Sequence, residues 1–376
     1  MKISITVRPT IYFSHTLLAF LLFVRIFAAQ AQIDWTSRPL LPDNILFDVA
    51  FGAGKYVAVG QSGMIRVSTD GITWDERSSP VGKNRNLRRI IYANGFFVVV
   101  GDLGTVMTST DGLNWFNYRR AQLGVGQLTR STLIDKAALA HSNYQNLNGT
   151  VTHDEKAGSN GFTGVDLAAR LNAAGYTLTP RTGYAIGEVI SGTTNKSGVF
   201  MSEELITAIY HRFVAFEPVF KELGGGTATS ASGYTYFTTD FGAINGYGTG
   251  ITGVVTWPYN GQTGVIQNFL TDNEEPDALP DQNEAGYPVS VHANINATVS
   301  VTAFTIRQRG ASSDLSVRLL SSVTDSVHTG ASAAAIVPLS PLKAATTYDV
   351  TFVGNVTFTN GVGNTAVNKT WSFTTK

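Results

Sequence analysis

Two histidines and one glutamate are the residues of this chain whose types could do chemistry together. They are His153, Glu188 and His211, in a sequence that has six histidines in all. Two neutral imidazoles and one carboxylate are enough to hold a divalent cation such as zinc and leave positions open to water. A carboxylate placed between imidazoles could instead support general acid–base catalysis. A third interpretation is purely structural, because buried polar groups must hydrogen-bond one another.

The elements around these residues are ordered ones. Glu188 lies in an apolar, strand-like run at residues 187–190, and His211 follows a helical segment. His141 lies among alanines on another predicted helix, where we expect it to pack rather than to bind a ligand. No serine or threonine nearby has the pattern of a nucleophile, and a chain without cysteine excludes thiol chemistry. Whether the protein is an enzyme stays open.

Composition limits the class of protein. The chain has 376 residues, of which 43% are hydrophobic and 14% are charged, so it is long enough for two or three folded domains. Lys and Arg together number 27, as do Asp and Glu. A balanced charge gives no basic field for nucleic acid, and we expect no nucleic-acid partner.

Residues 1–31 have the pattern of a secretory signal. Lys2 and Arg8 precede an apolar run at 17–24, and Ala29-Gln30-Ala31 predicts cleavage before Gln32. No later stretch is long and apolar enough to span a bilayer, so we expect no transmembrane segment in the mature chain. A cysteine-free exported chain must be held together by packed cores, which is typical of a secreted or periplasmic bacterial protein.

Residues 32–115 contain a repeat with a period of 41 residues, measured from Trp74 to Trp115. The repeated turn, Ser68-Thr69-Asp70-Gly71 and Ser109-Thr110-Asp111-Gly112, resembles the Asp-box of sialidase-type β-propellers. The resemblance implies a short propeller-like pair of β repeats, to which Trp35 could add a strand. Two blades cannot close a ring, which leaves packing on the next domain, oligomer assembly or a degenerate remnant as alternatives. Sialidase activity would need far more chain.

Residues 116–270 change to a mixed pattern. Apolar spacing predicts helices around Leu133 to Tyr144, around Leu167 to Ala174 and from Ser202 to Phe213, with Ser202 as the N-cap of the third. Strand-like runs follow at 234–241 and 253–257. We therefore expect an α+β or sandwich-like domain.

The motifs of this region resemble the CAP superfamily, and especially its cysteine-free bacterial branch. They occur in the family's order: Asn117-Tyr118-Arg119-Arg120, Ala140-His141, Thr152-His153, Ala174-Gly175-Tyr176, Gly187-Glu188-Val189-Ile190, Tyr210-His211-Arg212, Gly224-Gly225-Gly226 and Thr239-Asp240-Phe241-Gly242. The resemblance implies an α-β-α sandwich with a cleft lined by two His and two Glu.

By motif, three of the four cleft residues carry over as His153, Glu188 and His211. The fourth does not, because Ala208 stands where the family has its second Glu. Glu203 and Glu204, one turn earlier, could substitute only from a different direction. Val189 also replaces the asparagine that usually follows the strand glutamate.

The last part of the chain reads as an acidic linker at 271–286 followed by an all-β sandwich at 287–376. Alternating apolar residues predict short strands, and Leu342 to Tyr348 resembles the tyrosine corner of bacterial Ig-like domains. In such a corner the tyrosine hydroxyl bonds back to the chain near the preceding leucine. Modules of this kind usually space or present a neighbouring domain.

Together these features predict a multidomain bacterial protein that works outside the cytoplasm. The first interpretation is a binding module that holds a lipid, glycan or peptide in or near the CAP cleft. The alternative is a metal-dependent hydrolase of an extracellular polymer, with His153, Glu188 and His211 as ligands or Glu188 as base. A further alternative is an adhesin or an accessory protein with an envelope protein as partner.

Overall fold

The computed structural model describes residues 45–52, 54–77, 83–93, 96–108, 112–179, 183–358 and 363–376. The predicted signal at 1–31, Trp35 and the second Asp-box turn at 109–111 lie outside these residues. None of the helices in the described ranges is long and apolar enough to cross a membrane.

Two antiparallel sheets come first. The first sheet has the order β1 (Leu46–Gly52), β2 (Lys55–Gly60), β3 (Ile65–Ser68) and β4 (Asp75–Arg77). The second sheet consists of β5 (Leu87–Ala93), β6 (Phe96–Gly101) and β7 (Thr105–Thr108). Their facing sides form a separate apolar core that includes Val59 and Ile90. Both described sheets are open, so the propeller interpretation stays a prediction.

The 41-residue repeat continues into backbone geometry. Ser62 and Leu103, which are equivalent in the repeat, have φ angles of 54° and 56° in the same short turn after the second strand. In the first repeat, the Asp70 carboxylate accepts the backbone N–H groups of Ile72 and Thr73 at 2.7 and 2.8 Å. These bonds, that of Thr73 first, lower the pKa of Asp70 to about 2.

The first repeat ends in a strand and the second ends in a helix. Trp74 comes just before strand β4, whereas Trp115 lies in the helix α1 (Gly112–Leu123). The Trp115 indole N–H donates to Glu203 at 2.6 Å, so this side chain joins the central domain. The repeat pattern assigns Trp115 to the region at 32–115, but the first helix of the next domain already begins at Gly112.

The central domain is built around a four-stranded sheet. Its helices after α1 are α2 (Thr132–Asn148), α3 (Leu167–Ala174), α4 (Gly198–Thr207) and α5 (Ile209–Ala215). Its strands are β8 (Thr129–Arg130), β9 (Ala185–Thr193), β10 (Glu222–Thr229) and β11 (Thr235–Ala243), in the order β8-β10-β11-β9. Adjacent glycines of β10 show helices on both faces: a Cβ at Gly226 would lie 2.2 Å from Leu139 Cα of α2, and one at Gly225 would lie 2.8 Å from Leu113 of α1.

Two of the three predicted helices occur where they were expected. The helix around 133–144 is α2, and α3 ends at Gly175, whose φ of 97° only glycine adopts readily. The third predicted helix is wrong in two respects: it begins earlier than expected, and it is two helices and not one. Ser197, not Ser202, caps α4 by accepting the N–H of Phe200, and Ala208, with ψ of 120°, separates α4 from α5.

The C-terminal sandwich has two four-stranded sheets. Its strands are β12 (Val255–Trp257), β13 (Gln262–Val265), β14 (Asn268–Leu270), β15 (Glu284–Gly286), β16 (Val289–His292), β17 (Ala297–Gln308), β18 (Val317–Ser321), β19 (Ala333–Pro338), β20 (Thr347–Phe358) and β21 (Asn364–Thr375). The sheet orders are β12-β16-β19-β18 and β13-β21-β20-β17, with β14 and β15 paired apart. The backbone N–H of Lys343 donates to the Tyr348 hydroxyl at 2.8 Å, which confirms the tyrosine corner.

The structure differs from the expected division between the two domains. The predicted strand at 253–257 is present as β12, but it pairs with β16 of the sandwich and not with the central sheet. The segment at 271–286, interpreted as a linker, is packed, with Ala278 and Ala285 buried beside Ile209 of α5. Its few apolar residues, Ala278, Leu279 and Ala285, are buried despite the acidic residues around them.

One core runs through the central domain and the sandwich. It contains Phe216, which directly follows α5, and Trp257 of β12, whose ring centroids are 5.1 Å apart. The buried Arg212 guanidinium also donates to the Pro288 carbonyl at 2.7 Å and to the Ser290 hydroxyl at 3.2 Å. The two domains are therefore fixed to each other.

Candidate functional site

Glu188 lies at the centre of a buried polar cluster on the outermost strand, β9. One carboxylate oxygen is 2.9 Å from His153 Nδ1, and the other accepts from Arg170 Nη2 at 2.7 Å. Arg170, on α3, also donates to the backbone carbonyl of His153 at 2.8 Å. Glu188 and Arg170 are buried, but the His153 side chain is 57% exposed. The predicted closeness of His153 and Glu188 is thus present in the fold.

The surroundings of Glu188 favour its ionised form. Burial alone would raise the pKa of this carboxyl, but the hydrogen bond with His153 and the charge of Arg170 outweigh burial and lower the pKa below its usual value. An anionic Glu188 holds the His153 ring through Nδ1. A ring anchored in this way can take or give a proton through Nε2.

Asp240 is a second buried carboxyl beneath the first. It is the direct cross-strand partner of Glu188 in the pairing of β11 with β9, so both side chains point to the same face. Asp240 is completely buried, and neither of its carboxyl oxygens accepts a hydrogen bond from a donor in the described residues. Burial, and then the negative charge of Glu188, raise its pKa well above the usual value. A protonated Asp240 is able to donate to Glu188.

His141 belongs to the same interior but has a structural role, as expected. Its Nδ1 is 2.9 Å from Glu155 Oε1 and its Nε2 is 2.7 Å from the Thr152 carbonyl. Glu155 also accepts the backbone N–H groups of Thr163 and Gly164. Since a carbonyl only accepts, Nε2 must carry a hydrogen, and both nitrogens are occupied in fastening the loop after α2.

His211 does not join Glu188. It is the third residue of α5 and its side chain is largely buried. Its Nδ1 lies 3.1 Å from Glu274, whose carboxylate also accepts the backbone N–H groups of Ile209, Tyr210 and His211. Strand alternation separates the two histidines, because Glu188 and Ser191 point to opposite faces of β9 and Ser191 bonds Glu204 on the α4 side. The three residues predicted as one site therefore lie in two separate places: His153 pairs with Glu188, and His211 pairs with Glu274.

The acid missing from the motif is not supplied by its sequence neighbours. Ala208 is buried at the break between α4 and α5. Glu203 turns to Arg119, with a 2.8 Å ion pair, and Glu204 accepts from Ser191 at 3.0 Å. Burial raises the pKa of Glu204 despite that bond and the nearby charge of His211. Glu274, which the motifs did not mark, provides His211 with a carboxylate.

The donor set does not fit the predicted metal site. Glu188 already uses one oxygen for His153 and the other for Arg170, and the ring of His211 is paired with Glu274. In the part of the chain that the structure describes, no group of three or more His, Asp or Glu side chains is arranged to hold a metal ion. Zinc ligation by His153, Glu188 and His211 stays a prediction that this geometry does not favour.

An open groove of about 560 Å³ runs along α2 on the same domain. Its lining combines charged and amide side chains with the glycine backbone of β10: Arg130, Thr132, Asp135, Lys136, Leu139, Asn143, Gly225, Gly226 and Thr227. Asp135 is held in place, since it accepts from Arg130 at 2.7 Å and from the Gly225 N–H at 2.9 Å. The sequence analysis missed this groove, because its residues are adjacent only in the folded chain.

Sequence signals for the missed residues were weak. Asp240 lies within a quoted motif, Thr239-Asp240-Phe241-Gly242, and strand alternation relative to Glu188 could have marked it. Glu155 and Glu274 have no such pattern. They are recognised only through their partners in space.

Comparison with known proteins identifies two of the domains. The cysteine-rich secretory protein family, CAP, matches residues 113–241, and the bacterial Ig-like domain matches residues 278–375. No curated protein matches the chain.

Two solved structures are similar over part of the chain. An outer surface protein from Borrelia burgdorferi has 14% identity and a TM-score of 0.29, and covers 35% of this chain and 89% of its own. An extracellular protein containing an SCP domain from Bacillus anthracis has 13% identity and a TM-score of 0.30, with coverages of 58% and 91%. On the family matches, the chain contains a CAP domain followed by a bacterial Ig-like domain.

Proposed function

We propose that this protein is exported by a bacterium and acts outside the cytoplasm as a binding module. The observation that carries the proposal is the open groove along α2, lined by Lys136, Asn143 and the Gly225–Gly226 backbone. The exposed Lys136 ammonium and Asn143 amide along an open groove suit a polar chain such as a glycan or a peptide. Export is supported by the signal-like pattern at 1–31.

The polar cluster around Glu188 fits the same proposal. Its carboxylate oxygens are both occupied by partners within the domain, so the cluster fastens α3 and the loop after α2 to the sheet. The Ig-like domain, joined by a continuous core, would present the groove in a fixed direction.

An array of cell-wall glycans, envelope peptides and lipids tests this function. The double variant Lys136→Ala with Asn143→Ala should bind the selected ligand about 10-fold or more weakly, since each lost hydrogen bond to a charged or amide group costs about 1 kcal/mol or more. Lys196→Ala, an exposed lysine outside the groove, is the matched control. The proposal fails if no member of the array binds saturably, or if the double variant binds as well as the wild type.

A hydrolase is the second candidate, favoured by one observation. His153 is exposed and anchored through Nδ1 by a buried carboxylate, which is the arrangement of a general base and its orienting acid. Glu188→Gln should then lower hydrolysis of an extracellular polymer roughly 10²- to 10⁴-fold. Activity that is unchanged in Glu188→Gln rules out this role, and loss of activity on chelation would instead favour the predicted metal site.

A further inference from the structure

The two N-terminal sheets pack against each other through an apolar contact. The residues of this contact can be compared with their equivalents on the outer sides of the two sheets. Inside the chain, the first sheet contributes Ala50, Val59 and Ile65 to this contact. The second sheet contributes Leu87, Val99 and Met107 together with the large side chains of Ile90, Tyr92 and Phe97. The Tyr92 and Phe97 rings lie 4.8 Å apart at 57°. This interface is thus a small aliphatic surface against an aromatic one.

The outward side of the first sheet repeats the aromatic half of this interface. Shifting by the 41-residue period takes Ile90, Tyr92 and Phe97 to Val49, Phe51 and Tyr56. We call Val49, Phe51 and Tyr56 the aromatic face. They are 54%, 58% and 37% exposed, although their equivalents are packed in the core. The Phe51 and Tyr56 rings lie 4.6 Å apart at 47°, close to the geometry of the packed pair.

The outward side of the second sheet repeats the aliphatic half. The same shift takes Ala50, Val59 and Ile65 to Ile91, Val100 and Val106. We call Ile91, Val100 and Val106 the aliphatic face. They are 58%, 41% and 68% exposed. The molecule therefore buries one copy of an interface and exposes one further copy of each of its halves.

We propose that copies of this chain associate head to tail, with the aromatic face of one copy packed on the aliphatic face of the next. The two faces are on different sheets, so the interface is heterologous and continues from copy to copy until it closes. Rings of blade-like sheets contain about four to eight members, so two sheets per chain correspond to closed assemblies of about two to four copies.

Several positions of the internal contact are changed in the contact between copies: Met107 and Val99 of the packed core have Arg66 and Ala58 as their equivalents on the outward side of the first sheet. Two further changes concern close packing and a hydrogen bond. A Cβ added at Gly52 would lie 2.0 Å from the Tyr92 ring, so this close packing requires glycine. The equivalent of Gly52 in the second sheet is Ala93. Asp48, which accepts the Ile90 N–H at 3.0 Å, has Arg89 as its equivalent. The added methyl group and the lost acceptor should make the contact between copies weaker than the internal one. We therefore expect association that depends on concentration.

The mass of the full chain in solution, measured by light scattering over a concentration series, is the first test. We expect a transition from one copy to a single closed species of two, three or four copies. Val49→Asp, on the aromatic face, and Val106→Asp, on the aliphatic face, should each keep the chain monomeric. Val323→Asp, an 88% exposed valine of the Ig-like domain, should assemble like the wild type.

Mixing the two variants tests the head-to-tail arrangement. Val49→Asp retains an intact aliphatic face and Val106→Asp an intact aromatic face, so an equimolar mixture should form one species of exactly two chains. Circular dichroism of each variant establishes that both are folded. A wild type that stays monomeric at its highest soluble concentration would overturn the proposal. So would an assembly that survives Val49→Asp, or variants that do not pair when mixed.

Discussion

At the scale of single residues, Asp240 is the most unusual group in the central domain. It is a buried acid opposite Glu188, and burial and that neighbouring charge raise its pKa well above the ordinary value of 3.8. Below pH 3.8 the folded and unfolded chains both hold this proton. Above it the unfolded chain ionises freely while the folded chain does not, so Asp240 weakens folding increasingly as the pH rises towards its folded pKa.

Asp240→Asn should therefore stabilise the protein at neutral pH. The amide carries no charge and can donate to Glu188, so the variant's advantage in unfolding free energy should grow as the pH rises above 5, by at most about 1.4 kcal/mol per pH unit, until the pH reaches the folded pKa of Asp240. Glu188, whose pKa is lowered below its ordinary 4.5, stays ionised throughout this window. Urea unfolding at several pH values measures the difference.

The matched control for this measurement is Asp154→Asn, which changes an exposed carboxylate in the same domain. Its unfolding free energy, relative to the wild type, should not depend on pH in this way. A difference between Asp240→Asn and wild type that stays constant from pH 5 to pH 8 would mean that Asp240 ionises normally in the fold.

At the scale of elements, Glu274 connects a segment outside the CAP match to the start of α5. Its buried carboxylate accepts the N–H groups of Ile209, Tyr210 and His211, which the short helix cannot satisfy itself. The break at Ala208 leaves these donors without a preceding turn, and no side chain of α5 caps them. The acidic segment at 271–286 is therefore held against the helix that carries His211.

Glu274→Ala should destabilise the protein by about 1–3 kcal/mol, because buried N–H groups would lose their acceptor. Glu274→Gln keeps one carbonyl oxygen as an acceptor, so we expect a smaller loss. Thermal unfolding of the two variants gives the comparison, and hydrogen exchange at Ile209 and Tyr210 locates the effect. Equal stability of Glu274→Ala and wild type would mean that solvent caps the helix as well as Glu274 does.

At the scale of the whole molecule, the described residues contain cores of two kinds. The CAP and Ig-like domains share one continuous core, in which Phe216 packs on Trp257. The two N-terminal sheets have their own core, around Val59 and Ile90. Domains that share a core should lose it together, whereas a separate core can open alone.

Calorimetry of the full chain should accordingly give one transition for the CAP and Ig-like domains together and a separate one for the N-terminal sheets. Val59→Ala, which removes buried volume from the N-terminal core alone, should lower only the second transition. Three independent transitions would show that the joint between the CAP and Ig-like domains does not couple their unfolding.

The sequence by itself determined the features that depend on local pattern. Apolar spacing located α2, α3 and several strands of the sandwich, but not the buried strand β19, and ordered motifs placed His153 beside Glu188. The tyrosine corner at Tyr348 was also predicted, because its hydrogen bond joins residues only five apart. The 41-residue period marked the two N-terminal repeats, but not the helix that replaces the end of the second.

Only the tertiary structure decided which polar groups meet across long separations. Glu274 pairs with His211 from 63 residues away, and Asp240 meets Glu188 through strand pairing. The pairing separates His211 from Glu188 because alternate side chains of β9 point to opposite faces. The tertiary structure also decided which copies of the repeated apolar residues are packed and which are exposed, since burial depends on what the neighbouring sheet covers.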